Sequence, residues 1–368
     1  MIILKNSQGM EVHAIRYGGI ITTIRVPDRS GNFDDVVLGY DAPESYIKNN
    51  APYMGAIIGR YGNRIARGMF TLNGQTYVLA TNNGPNDLHG GKRGFDKVTW
   101  QTEEFRNADG PGVIFKYTSP DGEEGYPGAL QVSVTYTLAD RNELIIDYTA
   151  AADRPTPVNL TQHSYFNLTG VTRDVLDHEV TINADRYTPV DVTMIPTGTL
   201  QPVEGTPLDF RNPASIGSRI NEPDEQLRNA MGYDHNFVLN RFGDGLVHAA
   251  HVYEPSSGRV LDVSTTEPGL QFYTGNFLDS SITGKSGQVT SGDSHSVSKR
   301  SIFRTPRTSH NSHRPYCVLA TNTDRARSLR LVSEAKCRFD FGVPPTKRRR
   351  YGTDRRGSIR DMLFSKCL

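Results

Sequence analysis

A chain of 368 residues, 36% of them apolar, can bury a large core, and none of its apolar runs approaches the roughly 20 residues of a helical membrane span. Gly 35, Pro 21, Tyr 17 and Phe 15, with abundant Thr and Val, favour strands and turns over helices. The net charge of +1 hides two compositions, since residues 288–368 hold 18 Lys+Arg against 6 Asp+Glu and residues 1–287 hold 23 against 34.

The opening Met1-Ile2-Ile3-Leu4-Lys5 is too short an apolar patch for a signal-peptide core, so a cytoplasmic protein is expected. Next, Met69-Phe70-Thr71-Leu72 and Gln75-Thr76-Tyr77-Val78-Leu79 flank Asn73-Gly74, the pair that tolerates positive φ at both turn positions, which predicts a hairpin. Val132, Val134, Tyr136 and Leu138 alternate with Ser133, Thr135 and Thr137, a strand with one buried face. Arg141-Asn142 turns that strand back into Leu144-Ile145-Ile146-Asp147-Tyr148. His251-Val252-Tyr253 and Arg259-Val260-Leu261-Asp262-Val263 flank Pro255-Ser256-Ser257-Gly258 as a further hairpin. Closely spaced hairpins without sustained helical periodicity predict an all-β chain, a large antiparallel β-sandwich. Residues 1–287 read as one domain. Residues 288–368, rich in Ser, Arg and Thr, read as a disordered or poorly packed basic tail.

Four polar clusters interrupt the apolar strands: Gly59-Arg60-Tyr61-Gly62-Asn63-Arg64-Ile65, Asn86-Asp87-Leu88-His89-Gly90-Gly91, Asn159 to Leu168, and Gly232-Tyr233-Asp234-His235-Asn236-Phe237. Polar groups are costly to bury unless hydrogen-bonded. One such cluster reads equally well as a satisfied core or turn histidine, but four together point to a carbohydrate cleft. The remaining motifs carry less. His248 and His251 have the separation of a metal pair, but at i and i+3 on a strand they are expected on opposite faces, so no metal is expected. The three cysteines, Cys317, Cys337 and Cys367, form neither a disulfide framework nor a zinc spacing. The sequons at Asn159 and Asn167 are coincidental in a cytoplasmic chain. Lys347-Arg348-Arg349-Arg350 lacks the aromatic-lined context of a nucleic-acid surface.

Longer motifs resemble the aldose 1-epimerase (galactose mutarotase) family. They run from Tyr17-Gly18-Gly19-Ile20 and Val26-Pro27-Asp28-Arg29, through Leu88-His89-Gly90-Gly91-Lys92-Arg93-Gly94-Phe95-Asp96 and Ser119 to Gly128, to Phe272-Tyr273-Thr274-Gly275-Asn276-Phe277-Leu278. The resemblance implies a large β-sandwich with the sugar in an open cleft. It implies pyranose ring opening without metal or cofactor: a base takes the anomeric hydroxyl proton, an acid protonates the ring oxygen, and the roles reverse on closure. His163 resembles the acid and His89 its partner at the ring oxygen. Asn63, Arg64, Asp234 and Gln271 resemble the ligands of the sugar hydroxyls. The implied partner is a small aldose rather than a nucleic acid or membrane, and the implied assembly a monomer or homodimer.

The family's general base is a Glu in a motif close to Cys-Leu-Glu-Thr-Gln-x-x-Pro-Asp, shortly after Gly275-Asn276-Phe277-Leu278-Asp279. No Glu occurs between Gly287 and Ser333. If each hidden codon takes the third base of one residue and the first two of the next, Ser296 to Thr308 can encode Cys-Leu-Glu-Thr-Gln-His-Phe-Pro-Asp-Ala-Pro-Asn. The charge jump, the stray cysteines and this buried motif imply a reading-frame shift near Gly287, in the gene or in its recorded sequence. On that reading 1–287 is a C-terminally incomplete β-sandwich domain, 288–368 a non-homologous tail, and the general-base Glu is absent. The alternative to an enzyme is then a catalytically inactive sugar-binding protein.

Overall fold

The computed structural model describes residues 1–48, 52–278, 282–287 and 333–342. Among these residues β-structure dominates, and the α-helices are two short ones, Pro43–Lys48 and Glu225–Ala230. No helix is long and apolar enough to cross a membrane.

The largest sheet has nine strands, in the spatial order Gln101–Arg106, Pro111–Ser119, Leu130–Ala139, Glu143–Ala152, Ser333–Gly342, Val260–Thr265, Val247–Tyr253, Glu179–Ile182 and Ala214–Ser215. Its neighbours pair antiparallel throughout. A four-stranded sheet of Ile2–Lys5, Glu11–Ala14, Ile21–Pro27 and Phe33–Asp35 shares its core, as does another ordered Gln201–Pro202, Arg186–Thr188, Asp234–Val238, Gly269–Tyr273. The alternation expected around Val134 holds as far as Thr135: Val132, Val134, Tyr136 and Leu138 are buried and Ser133 and Thr135 are less so, but Thr137, expected on the other face, is buried too. The first hairpin forms as expected, with Asn73 at φ 52° and Gly74 at φ 80°. Its turn is mirror-image in hand, which matches the right-handed twist of the strands.

Two expectations are corrected. The first concerns the tail. Residues 288–332 and 343–368, which include Cys317, Cys367, the Lys347–Arg350 run and the stretch with the hidden motif, lie outside the described residues. Ser333–Gly342, however, is a ten-residue strand inside the large sheet, pairing Glu143 with Asp340 on one side and Val260 with Gly342 on the other. The physical reason is a period-two pattern: Phe339 and Phe341 are buried in the main core, and Arg338 and Asp340 point the other way, partly exposed. Both phenylalanine rings meet Phe166, at 5.2 and 6.0 Å, three residues from His163. The strand therefore supports the motif that carries His163 and pairs two strands that would otherwise present open edges.

The second correction concerns His248 and His251. The register slips between His248 and Ala250, a bulge that brings both imidazoles to one face. His248 Nε2 and His251 Nδ1 lie 2.9 and 2.8 Å from the same Asp262 Oδ1. This carboxylate is held well below its usual range against burial by the two imidazoles, and its bond raises the pKa of His251.

Phe339→Ala is expected to cost about 3–5 kcal/mol, the range for truncating a core aromatic, as read from the urea midpoint of the full chain. Burial lowers both His178 and His235 to about 4 from the usual imidazole range. A histidine depressed by folding contributes stability above about pH 6.5 and loses it as pH falls towards the folded value. On acidification from pH 7.5 to 5 each of the two histidines is expected to contribute a loss of stability on the order of 2 kcal/mol, opposed by Asp87 and Asp340, whose carboxyls burial raises. His235→Gln should remove one share of that slope in paired urea titrations.

Candidate active site

Two short strand pairs place the histidines. Ile57–Ile58 pairs with Thr161–Gln162, and the ladder continues past its end: His163 N–H donates to Ala56 O and His163 O accepts from Gly55 N–H, both at 2.9 Å. Gln162 locks this turn, its amide donating to Gly55 O at 2.8 Å and accepting from Ser164 N–H at 2.7 Å. The second pair is Arg64–Ile65 with Asp87–Leu88, and His89 follows it at φ 57°. His89 N–H donates to Asn63 O at 3.0 Å, and Asn63 N–H donates to His89 Nδ1 at 2.9 Å. A backbone N–H can only donate, so Nδ1 accepts and the neutral ring carries its proton on Nε2.

The two imidazoles meet edge to face, with ring centres 5.1 Å apart and planes at 89°. Both are buried. Tyr53 closes the group at 4.8 Å from the His89 ring and 5.7 Å from His163, and Tyr165 lies 4.9 Å from His163 on another side. Arg64 Nε donates to Asn83 Oδ1 at 2.9 Å and its Nη1 to Asn63 Oδ1 at 3.1 Å. It is the partly exposed member of the group, whereas both histidines are buried.

Asp234 and Gln271 form a second group on neighbouring strands, where Asp234 stands opposite Tyr273 and Asn236 opposite Gln271. Gln271 Nε2 donates to Asp234 Oδ1 at 2.5 Å. Asp234 is buried, and its Oδ2 meets no donor among the described residues. An acceptor in that state is what a ligand hydroxyl satisfies. The two groups connect through ring contacts, His163 to Tyr165 at 4.9 Å and Tyr165 to Tyr273 at 6.0 Å. Thus Asn63, Arg64, His89 and His163 share direct contacts, and Asp234 and Gln271 join them through aromatic packing.

Other polar residues of the four motifs serve the fold. Arg60 is buried and spends its guanidinium on Ser119, Pro120, Pro127 and Thr156. Both sequon asparagines are buried with their amides bonded to backbone, Asn159 to Gly62 O and Asn167 to Arg173 O. Reading the sequence alone missed Tyr53, Asn82 and Glu124. Asn82 clamps the His89 turn, donating to Leu88 O and Gly91 O at 2.9 and 2.8 Å and accepting from Leu88 N–H at 2.7 Å. Glu124 accepts from the N–H groups of Lys92 and Arg93 at 2.9 and 3.1 Å. The local signal for Asn82 is only a turn-like Thr81-Asn82-Asn83-Gly84, and nothing local distinguishes Glu124 from Glu123.

Known proteins resemble this chain over most of its length. The aldose 1-epimerase family model matches residues 1–320. Galactose mutarotase of Sus scrofa is 51% identical over 284 residues, covering 77% of this chain and 80% of that protein. Human galactose mutarotase is 52% identical over 282 residues (76% and 79%), and the aldose 1-epimerase of Escherichia coli K12 is 44% identical over 278 (76% and 79%). Among solved structures, an aldose epimerase homologue from C. elegans superposes with a TM-score of 0.79 at 27% identity, covering 93% of this chain and 98% of that one. Galactose 1-epimerase from Lactobacillus acidophilus gives 0.77 at 26% identity, covering 93% of each. On its motifs, its fold and these matches together, the chain belongs to the aldose 1-epimerase family.

Proposed function

We propose that this chain is specified as an aldose 1-epimerase that interconverts the α and β anomers of hexoses such as glucose and galactose, working as a cytoplasmic monomer or homodimer. The observation that carries this reading is the edge-to-face contact of His89 and His163, with the tautomer of His89 set by Asn63. Ring opening needs a proton delivered to the ring oxygen while the C1–O bond to it breaks. In this proposal His163 supplies that proton. His89 holds the same oxygen through its Nε2–H and cannot readily take a second proton, because its Nδ1 already accepts a bond. An imidazole suits the acid role because its ordinary titration range spans neutrality. Arg64, as a charged donor, and Asp234, as a charged acceptor, orient the ring with Asn63 and Gln271.

The partner base is the weak point of this polypeptide. With no Glu between Gly287 and Ser333, the acid half of the reaction is present and the base half is not. That observation favours a second reading for the chain as written, sugar binding with impaired turnover, and we attribute the loss to a reading-frame shift near Gly287.

Titration calorimetry with D-galactose and D-glucose should show saturable binding, and its absence for both sugars would reject a sugar site. Polarimetry of freshly dissolved α-D-galactose should show mutarotation slower by about 10²–10⁴ than in a version translated in the alternative frame over residues 288–332, the usual contribution of a general base. Equal rates would remove the frame-shift explanation. In the restored protein, His163→Gln should lower the rate by about 10²–10⁴ with galactose affinity changed only a few-fold.

A further inference from the structure

Asp87 takes no part in the chemistry just described. It lies on the short strand that delivers His89, two residues before it, and is fully buried. Its Oδ1 accepts from Tyr126 Oη at 3.2 Å, and its Oδ2 meets no donor among the described residues. Tyr126 belongs to the 121–128 segment, whose Glu124 accepts from the N–H groups of Lys92 and Arg93. This one segment therefore grips the His89 turn twice, before the imidazole through Asp87 and after it through Glu124. We propose that Asp87 is a positioning residue for His89, acting as a neutral carboxylic acid that ties the strand bearing His89 to the segment containing Tyr126 and Glu124. The assignment rests on His89 being a site residue.

The chemistry of the surroundings favours the neutral form. A buried carboxylate needs several donors or a cation. Here it has one phenol, and the charge that acts on it is that of Glu124, which is also negative; Arg60 lies 5.8 Å from the centre of the Tyr126 ring. Burial, with the Glu124 charge adding to it and the Tyr126 bond opposing it, raises Asp87 to about 7. On ionisation the carboxylate gains more from water than from this pocket. Movement towards water would displace the Asp87–Leu88 strand from Arg64–Ile65 and, with it, the bond between Asn63 N–H and His89 Nδ1.

The test uses the full chain labelled with nitrogen-15 at histidine, with the His89 signals identified through His89→Gln. At about pH 6 the spectrum should show Nδ1 as a bare acceptor and Nε2 protonated. Between about pH 6 and 8.5 this signature should change with a midpoint near 7, and in Asp87→Asn, which keeps the shape of the acid but cannot ionise, it should stay constant. A His89 signature that is flat in the unmodified protein, or that titrates identically in Asp87→Asn, would overturn the proposal. The first of these needs only the assignment variant, His89→Gln, to fold. No turnover enters the measurement, so failure of the sugar reading shows separately, as absent galactose binding with the Asp87-dependent signature intact.

Discussion

The bond from Asn63 N–H to His89 Nδ1, 2.9 Å long, sets the chemistry of the site more than any other contact in it. A main-chain donor cannot change role, so while this bond stands it holds the neutral ring as an acceptor on one side and a donor on the other. Because the partner is backbone, the restraint depends on where two short strands place Asn63 and His89 rather than on a side chain that could rotate away. Both residues lie at positive φ, 68° for Asn63 and 57° for His89, so the chain is bent at each side of the bond. Asn82 and Glu124 bond the backbone of the same turn, and Asp87 on its strand accepts from Tyr126.

His163 is held differently. Its backbone extends a two-residue strand pair, and its ring is wedged between His89, Tyr53 and Tyr165. Behind that motif Phe166 rests on Phe339 and Phe341. The position of His163 therefore depends on a strand almost two hundred residues later, in a stretch whose composition differs from everything before it. The same strand joins Glu143–Ala152 to Val260–Thr265, so without it the nine-stranded sheet would fall into two parts. The core beneath the site and the continuity of the sheet are one structural requirement.

Arg60 and Arg64 show how far residue type alone can be read. They sit four residues apart in one motif, with glycine, tyrosine and asparagine between them. Arg60 is enclosed and bonded to two loop carbonyl groups, a third carbonyl and two hydroxyls, so it braces the fold. Arg64 keeps contact with solvent and bonds only two asparagine side chains among the contacts described. Asp234 and His235 divide in the same way: alternation along the strand turns the carboxylate towards Gln271 and puts the neighbouring imidazole in a fully desolvated core, where burial lowers it to about 4.

By itself, the sequence determined whatever depends on neighbours along the chain. The hairpin at Asn73-Gly74 follows from turn chemistry, the face of Val132 to Leu138 from period-two burial, and the polar motifs around His89, His163 and Asp234 from the cost of placing such groups in apolar strands. The tertiary structure alone decided matters of register and of contacts between distant segments. A one-residue slip between His248 and Ala250 turned two histidines expected on opposite faces onto one carboxylate, because side-chain direction reverses with each residue of a strand. Ser333–Gly342 became a central strand because Phe339 and Phe341 found a buried surface made by Phe166, a complementarity that no local composition reveals. Asp87 acquired its unusual environment for the same reason: the phenol, the second carboxylate and the dry surroundings that raise its pKa come from elsewhere in the chain and meet it only in the folded protein.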